Sequence, residues 1–342
     1  MCLFGGSSLR KLFVYNSLTG RKEEFKPLKP EVVRLYACGC TVYDESHIGH
    51  AMQAVFFEMI RKYLESPVFG YRVNYVRNFT DVDDKIIARA KALKMKPTEL
   101  SDSMIRSNKE DMIALGLEDP TSEPKVSEHM PEIIKMIEVL IDKGYAYKTP
   151  EGDVYFRVAQ KKDYGKLSNQ SLSENVSGTR QLNSGQKEAD LDFALWKNDL
   201  TEGASWPSPW GVGRPGWHIE CSAMSRRYLG DTFDIHGGGR DLIFPHHENE
   251  IAQSEAANGS TFAKYWIHSG LMTIDKQKMS KSLGNSITVK QFLAKWHREV
   301  LLLGFMQNHY RSNIDFSESV FRDCKRRLLY YYECLAALDD LE

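Results

Sequence analysis

The chain has 342 residues, 42% apolar and 27% charged, a globular composition that excludes wholesale disorder and allows roughly two domains. With 45 Lys and Arg against 46 Asp and Glu the net charge is −1, so no global positive field holds nucleic acid and any such contact uses a local patch. No apolar run is long enough to span a bilayer, and 6 cysteines are too few for a disulfide scaffold, so a reducing, cytoplasmic setting without membrane contact is expected.

The first 20 residues lack a secretory apolar core. They carry Arg10 and Lys11, followed by Arg21 and Lys22, with no acidic residue before Glu23. That pattern is open to an organellar leader, but an ordinary basic strand and turn is the reading taken. Residues 31–39 read as a mostly apolar strand, 48–64 as a helix with apolar spacing at Ala54, Phe56, Phe57, Ile60 and Leu64, and 71–79 as a second strand. Strand, helix and strand in about 50 residues is the pattern of a parallel βαβ unit. Helical stretches follow near 84–115 and 131–144, then a strand at 153–158. Residues 162–215, polar and then rich in Gly, Pro and Trp, read as an inserted segment with connecting loops. An α/β pattern returns at 231–239, with a helix opening at Pro245 and a strand over 265–274. Residues 286–342 read as helical, and the chain stops at Leu341-Glu342 inside an apolar-periodic run, which predicts a missing downstream region.

Two motifs carry chemistry. His47-Ile48-Gly49-His50 follows a strand and opens a helix, where free N–H groups and the helix dipole favour a phosphate. Alone it also fits two histidines satisfied in a turn. Lys278-Met279-Ser280-Lys281-Ser282 follows a later strand, and two lysines on a loop suit a polyphosphate whose charge moves during reaction.

Pro245-His246-His247-Glu248-Asn249-Glu250 opens a helix on which His246 and Glu250 share a face. Cys221 and Cys38 could approach that face, and two thiols, an imidazole and a carboxylate are a plausible zinc set. From the residues alone a structural metal, a functional metal and no metal all stand open.

The histidine and lysine motifs together, with the strings YACGCTVYDESHIGHA, YVRNFTDVDDKII, SWPSPWGVGRPGWHIECSAMS, FDIHGGGRDLIFPHHENEIAQSE and KMSKSLGN, resemble the cysteinyl-tRNA synthetases of class I over roughly residues 10–335. The resemblance implies a parallel-sheet Rossmann-like α/β catalytic domain split by an insertion and followed by an α-helical stem-contact region. The corresponding segments are 1–125, 126–212, 213–285 and 286–342, with the last truncated. It implies ATP-dependent activation of L-cysteine to cysteinyl-adenylate and its transfer to the 3′ end of tRNA(Cys).

Residue by residue, the resemblance implies His47, His50, Lys278 and Lys281 as catalytic, with Thr80 and Trp217 lining the amino-acid pocket. Gly49, Gly237, Gly238, Gly239, Asp241 and Lys281 fall at ATP contacts. One Zn²⁺ per chain falls on Cys38, Cys221, His246 and Glu250, with Mg²⁺ arriving on ATP. His247 and Cys40 are then decoys, and Cys40 stands where the family usually has proline.

Zinc prefers sulfur and lowers thiol pKa values, so the cysteine side chain can be selected as thiolate. Pocket size alone discriminates by only about 1–3 kcal/mol per small group. Residues 276–330 carry 11 Lys or Arg against 4 Asp or Glu, a candidate surface for the tRNA backbone. A monomer is expected. A ligase passing activated cysteine to an amine or carrier, similar to mycothiol ligases, is the alternative, and a dead binding paralogue fits the intact motifs poorly.

Overall fold

The computed structural model describes residues 11–170, 187–278 and 285–339. Its early strands are β1 (Phe13–Asn16), β2 (Arg21–Glu24), β3 (Val32–Ala37) and β4 (Arg72–Arg77). The helices α1 (Ile48–Glu65), α2 (Asp84–Leu93), α3 (Pro97–Ala114) and α4 (Met130–Asp142) occupy the same part of the chain. Then come β5 (Ala146–Lys148), β6 (Val154–Phe156), β7 (Phe193–Asn198), β8 (Gly213–Pro215) and helix α5 (Trp217–Leu229). Strand β9 (Phe233–Gly239), helix α6 (Glu248–Asn258) and strands β10 (Ala263–Ser269), β11 (Met272–Ile274) and β12 (Gln277–Lys278) follow. The last elements are α7 (Val289–Leu293), α8 (Arg298–Met306), β13 (Ile314–Phe316) and α9 (Glu318–Asp339).

The chain forms two compact units that interleave along the sequence. One holds the chain up to Tyr43 with Arg61–Ser103 and Pro120–His268, and the other holds Asp44–Ile60, Met104–Asp119 and the chain from Ser269.

The first unit is built on a sheet of order β10-β9-β3-β4. β3 runs parallel to β4 from Val32↔Arg72 to Ala37↔Arg77, and parallel to β9 from Leu35↔Ile235 to Ala37↔Gly237. All seven residues of β9 are buried, as expected of a parallel sheet covered on both faces. From β3 the chain goes to β4 on one side, while β9 pairs on the other. The carboxyl ends of β3 and β9 therefore flank a topological switch point, the usual ligand position in such sheets. α4 covers the core with Ile133, Met136, Ile137 and Leu140, three and four residues apart, in one cluster with Tyr36, Ile219, Phe233 and Trp266.

The predicted strands at 31–39, 71–79, 153–158 and 231–239 correspond to β3, β4, β6 and β9, and the basic start to a β1–β2 hairpin. The antiparallel sheet β5-β6-β7-β8 corrects the reading of 162–215 as loops, since β7 and β8 lie in that stretch. Acidic residues at 190 and 192 and Lys197 dilute the apolar signal of β7, although Leu195 and Trp196 are fully buried. α5 has little amphipathic pattern to give it away, because Glu220, Ser222 and Ser225 are buried along with its apolar residues over Ile219–Ser225. Residues 171–186 lie outside the described part.

In the second unit β11 pairs antiparallel with β12 and parallel with β13. Ile48, Val55, Phe292, Phe305, Phe316 and Phe321 form its core. β13 interrupts what reads as continuous helix from 286. The predicted strand over 265–274 breaks at Gly270, where an added Cβ would lie 2.0 Å from the Ser312 carbonyl oxygen. No helix among the described residues is long and apolar enough to cross a membrane.

Candidate metal centre and nucleotide motifs

Four elements of the first unit converge at the switch point. Cys38 sits one residue beyond β3, followed by Gly39, whose Cβ would fall 1.6 Å from the Asn78 carbonyl oxygen. Only glycine allows this approach of the two strand ends, and the Gly39 N–H donates to Asn78 Oδ1 at 2.9 Å. Cys221 is buried in α5. A π-helical turn over Ile243–His247, with Phe244 extended at φ −135° and ψ 133°, leads into α6 and turns both His246 and His247 inward. One helical turn on, Glu250 shares the face of His246.

Cys38, Cys221, His246 and Glu250 are buried, with donor atoms all within 4.8 Å of one another. The Sγ atoms of Cys38 and Cys221 are 3.7 Å apart. Two thiolates at about 2.3 Å from one tetrahedral zinc would be about 3.8 Å apart. Glu250 Oε1 lies 3.3 Å from Cys38 Sγ and 3.0 Å from His246 Nε2. Both the donor chemistry and the spacing fit zinc.

A second grouping, Cys38, His236, His247 and Glu250, has the same compactness. There His247 Nε2 faces Cys38 Sγ at 3.3 Å and Glu250 Oε1 at 3.9 Å, so His247 is also within reach of the cluster. His247 Nδ1 is 2.8 Å from His268 Nε2, and His268 Nδ1 is 2.8 Å from Ser17 Oγ. His236 Nε2 is 2.8 Å from Glu250 Oε2, the oxygen turned away from His246, and its ring stacks on Trp266. His236 thus orients the carboxylate from outside, as outer-shell partners of metal ligands do. His218 does the same for His246, with the two Nδ1 atoms 3.0 Å apart, and Gln253 Nε2 donates to the His218 carbonyl. Cys40 belongs to neither grouping among the described residues.

Charge is arranged to match. Burial alone would raise Glu250, but His236 and His246 outweigh it and hold the carboxyl well below the usual range. Burial lowers His246, yet Glu250 and Cys221 bring it up to about 10. The hydrogen bond from Cys38, with help from His246, pulls Cys221 down to about 6 against burial, while burial pushes Cys38 well up. One thiolate and one carboxylate therefore face shared protons that a divalent cation can replace.

Around this cluster, Trp217 opens α5 and stacks on His246, with ring centroids 4.1 Å apart. The indole is 37% exposed, so it forms part of the accessible wall of the site. Thr80 is buried, and its Oγ1 donates to Glu220 Oε2 at 3.3 Å. Gly237, Gly238 and Gly239 end β9 at the switch point. At Gly238 a Cβ would meet His247 Cε1 at 2.9 Å, so packing against the histidine alone requires that glycine. Asp241, just beyond, is exposed.

The remaining motif residues belong to the second unit. The His47 carbonyl accepts from the N–H groups of His50 and Ala51, starting α1, and the two imidazoles stack with centroids 3.6 Å apart. Gly49 lies in the first turn of that helix. The backbone of Lys278 ends β12, and Lys281 lies outside the described residues.

His236, His218 and His268 are site residues that the sequence reading did not select. A lone histidine in a buried strand, such as His236 or His268, reads as a satisfied core residue, and the strings FDIHGGG and GWHIEC offered the signal for His236 and His218.

A family model described as the tRNA synthetases class I (C) catalytic domain matches residues 24–326. The chain is 54% identical over 329 residues to the cysteine–tRNA ligase of Geobacter metallireducens, covering 96% of this chain and 67% of that protein. It is 51% identical to the cysteine–tRNA ligase of Persephonella marina, with 97% of this chain and 67% of that protein covered. The chain thus spans about two thirds of the length of these relatives. Among solved structures it is similar to Mycobacterium tuberculosis methionyl-tRNA synthetase in complex with methionyl-adenylate. That match has a TM-score of 0.66 at 14% identity and covers 86% of this chain and 68% of the other. A structure titled as a putative arginyl-tRNA synthetase from Campylobacter jejuni matches at a TM-score of 0.56 and 14% identity, over 85% of this chain and 66% of that one. At such identity these two likenesses concern the fold.

Proposed function

The chain belongs to the family of class I tRNA synthetase catalytic domains, and from that premise we propose that it is a cysteine–tRNA ligase. It joins L-cysteine to ATP as cysteinyl-adenylate with release of pyrophosphate, then passes the cysteinyl group to the 3′ end of tRNA(Cys). The observation that carries the reading is the buried Cys38, Cys221, His246 and Glu250 set at the switch point, beneath a partly exposed Trp217 ring.

These four residues would hold zinc, which when bound supplies a ligand position for the thiolate of substrate cysteine. Glu250 and His246 are kept in place by His236 and His218, so the site is set before substrate arrives. We assign Trp217 and Thr80 to the amino-acid pocket. Gly237, Gly238, Gly239, Asp241 and Gly49 are assigned to ATP, which brings Mg²⁺ with it.

His47 and His50, at a helix N-terminus, stabilise charge on the α-phosphate as the carboxylate attacks. Lys278 and Lys281 do so for the departing pyrophosphate. Neither step uses a protein nucleophile, so the chain's own part is positioning and electrostatics. Residues 126–212 form the insertion in the catalytic domain and 286–342 the stem-contact region, while the basic excess toward the tRNA backbone lies over 276–330.

The test is cysteine-dependent ATP–pyrophosphate exchange together with charging of total tRNA by labelled cysteine, on one zinc-loaded sample. Both activities are expected. Absence of exchange would overturn the reading. Exchange without charging of tRNA would replace it with activation of cysteine for another acceptor.

A further inference from the structure

Within the second unit, the His47–His50 loop and the segment just after the lysine motif are joined like two strands. The Ile48 N–H donates to the Ile287 carbonyl at 3.0 Å, and the Val289 N–H donates to the Ser46 carbonyl at 2.9 Å. His47 and Thr288 are bridged between them. Thr288 then caps α7 with a capping box to Gln291, and Lys290 lies inside that capped first turn.

Lys290 Nζ lies 3.1 Å from Glu45 Oε1, two residues before His47. It also donates to Ser107 Oγ and stands 3.8 Å from Asp111 Oδ1, both on α3. An ammonium has three N–H groups and here meets three oxygens from two further segments. Asn108 of α3 adds a bond from Nδ2 to Ser46 Oγ at 2.7 Å.

Most exposed ion pairs contribute little. This one differs on the α3 side. Asp111 is 2% exposed, and its Oδ2 has no hydrogen-bond partner among the described residues. Burial pushes its carboxyl up to about 6, with Lys290 acting against that and Glu45 and Glu110 adding to it. A buried carboxylate that loses its cation is costly, so the ammonium is held where it is.

We propose that Lys290 is a positioning residue for adenylate formation, a clasp that fixes the His47–His50 turn, α3 and the Ile287–Val289 segment as one piece. This rests on the cysteine-activating reading above. Catalysis by orientation is sensitive to displacements near 1 Å, which typically cost about 100-fold in rate. Among the described residues the polar partners of Lys290 are Glu45, Ser107 and Asp111, none of them assigned to substrate, so its effect falls on turnover rather than on cysteine binding.

The experiment is cysteine-dependent ATP–pyrophosphate exchange on the zinc-loaded full chain, with Lys290→Met, Glu45→Gln and the double variant. Lys290→Met is expected to lower kcat about 10- to 100-fold while the KM for cysteine stays within about twofold. Glu45→Gln is expected to lower kcat about threefold or more, and the double variant to match Lys290→Met, because both act through one contact. Lys290→Arg, which keeps the charge but not the three-donor geometry, is expected to recover part of the loss. Wild-type kcat in Lys290→Met, a loss expressed only in the KM for cysteine, or independent, additive effects would each overturn the proposal. If Lys290→Met does not fold, Glu45→Gln decides alone, and unchanged kcat there overturns it. A wild-type chain without exchange fails the activity reading itself and takes this inference with it.

Discussion

The indole of Trp217 lies on the imidazole of His246, with centroids 4.1 Å and planes 26° apart. At the edge of that imidazole, Nε2 lies 3.0 Å from Glu250 Oε1 and Nδ1 lies 3.0 Å from His218 Nδ1. The buried imidazole is thus covered by the ring of a residue that is itself 37% exposed, and on the proposed reading Trp217 forms part of the amino-acid pocket.

Replacing Trp217 with Ala removes that plane. An aromatic contact contributes about 0.5–1.5 kcal/mol beyond burial. Trp217→Ala should raise the KM for cysteine in ATP–pyrophosphate exchange about tenfold while changing kcat less, and Trp217→Phe should recover most of the loss. Unchanged KM would remove Trp217 from the pocket.

The two overlapping groupings make different predictions for metal content. If Cys38, Cys221, His246 and Glu250 hold the ion, Cys221→Ala should fall from one zinc per chain to near none after dialysis, and His247→Gln should keep it. Elemental analysis on folded protein decides this without any assay of activity. The opposite pattern would assign the ion to Cys38, His236, His247 and Glu250.

His268 gives a pH dependence with a defined sign. Burial, with His236 and Arg240 nearby, lowers it to about 3, below the ordinary 6.5 that applies in the unfolded chain. Above about pH 6.5 neither state is charged and the residue contributes no slope. Below it the unfolded chain takes up a proton that the folded chain refuses until about pH 3, so stability falls by about 1.4 kcal/mol per pH unit. His268→Gln should flatten urea-measured stability by about that slope between roughly pH 6 and pH 5. An unchanged slope would mean that the imidazole is protonated in the fold.

Lys281 was selected from its motif and lies outside the described residues. Loss of one contact made only in the transition state typically costs about 10²–10³ in rate. Lys281→Ala should therefore lower kcat for exchange by that order with little change in the KM for cysteine. Unchanged turnover would remove it from the reaction.

Much of the sheet was readable because parallel strands buried on both faces leave nearly continuous apolar runs, as in β3 and β9. His246 and Glu250 were readable as a pair because helical spacing places them on one face. Their meeting with Cys38 and Cys221 was not. Those residues are 183 positions apart, and no local pattern brings the end of a strand to α5; the residues left that meeting one open reading among three, and a resemblance chose it. His236 and His218 went unselected because a positioning role depends on which atom a neighbour leaves exposed, which only coordinates reveal. β7 and α5 were missed for opposite reasons, one diluted by charge and the other with polar residues buried among its apolar ones.

The central claim is that the buried cluster holds a metal that selects the substrate by its thiol. Cobalt(II) in place of zinc tests this directly, since thiolate ligands give sulfur-to-cobalt charge-transfer absorption. The account predicts that the cobalt-loaded chain carries this band, that L-cysteine strengthens it, and that L-serine leaves it unchanged. A cobalt-loaded chain whose spectrum responds to neither amino acid, or equally to both, would contradict it.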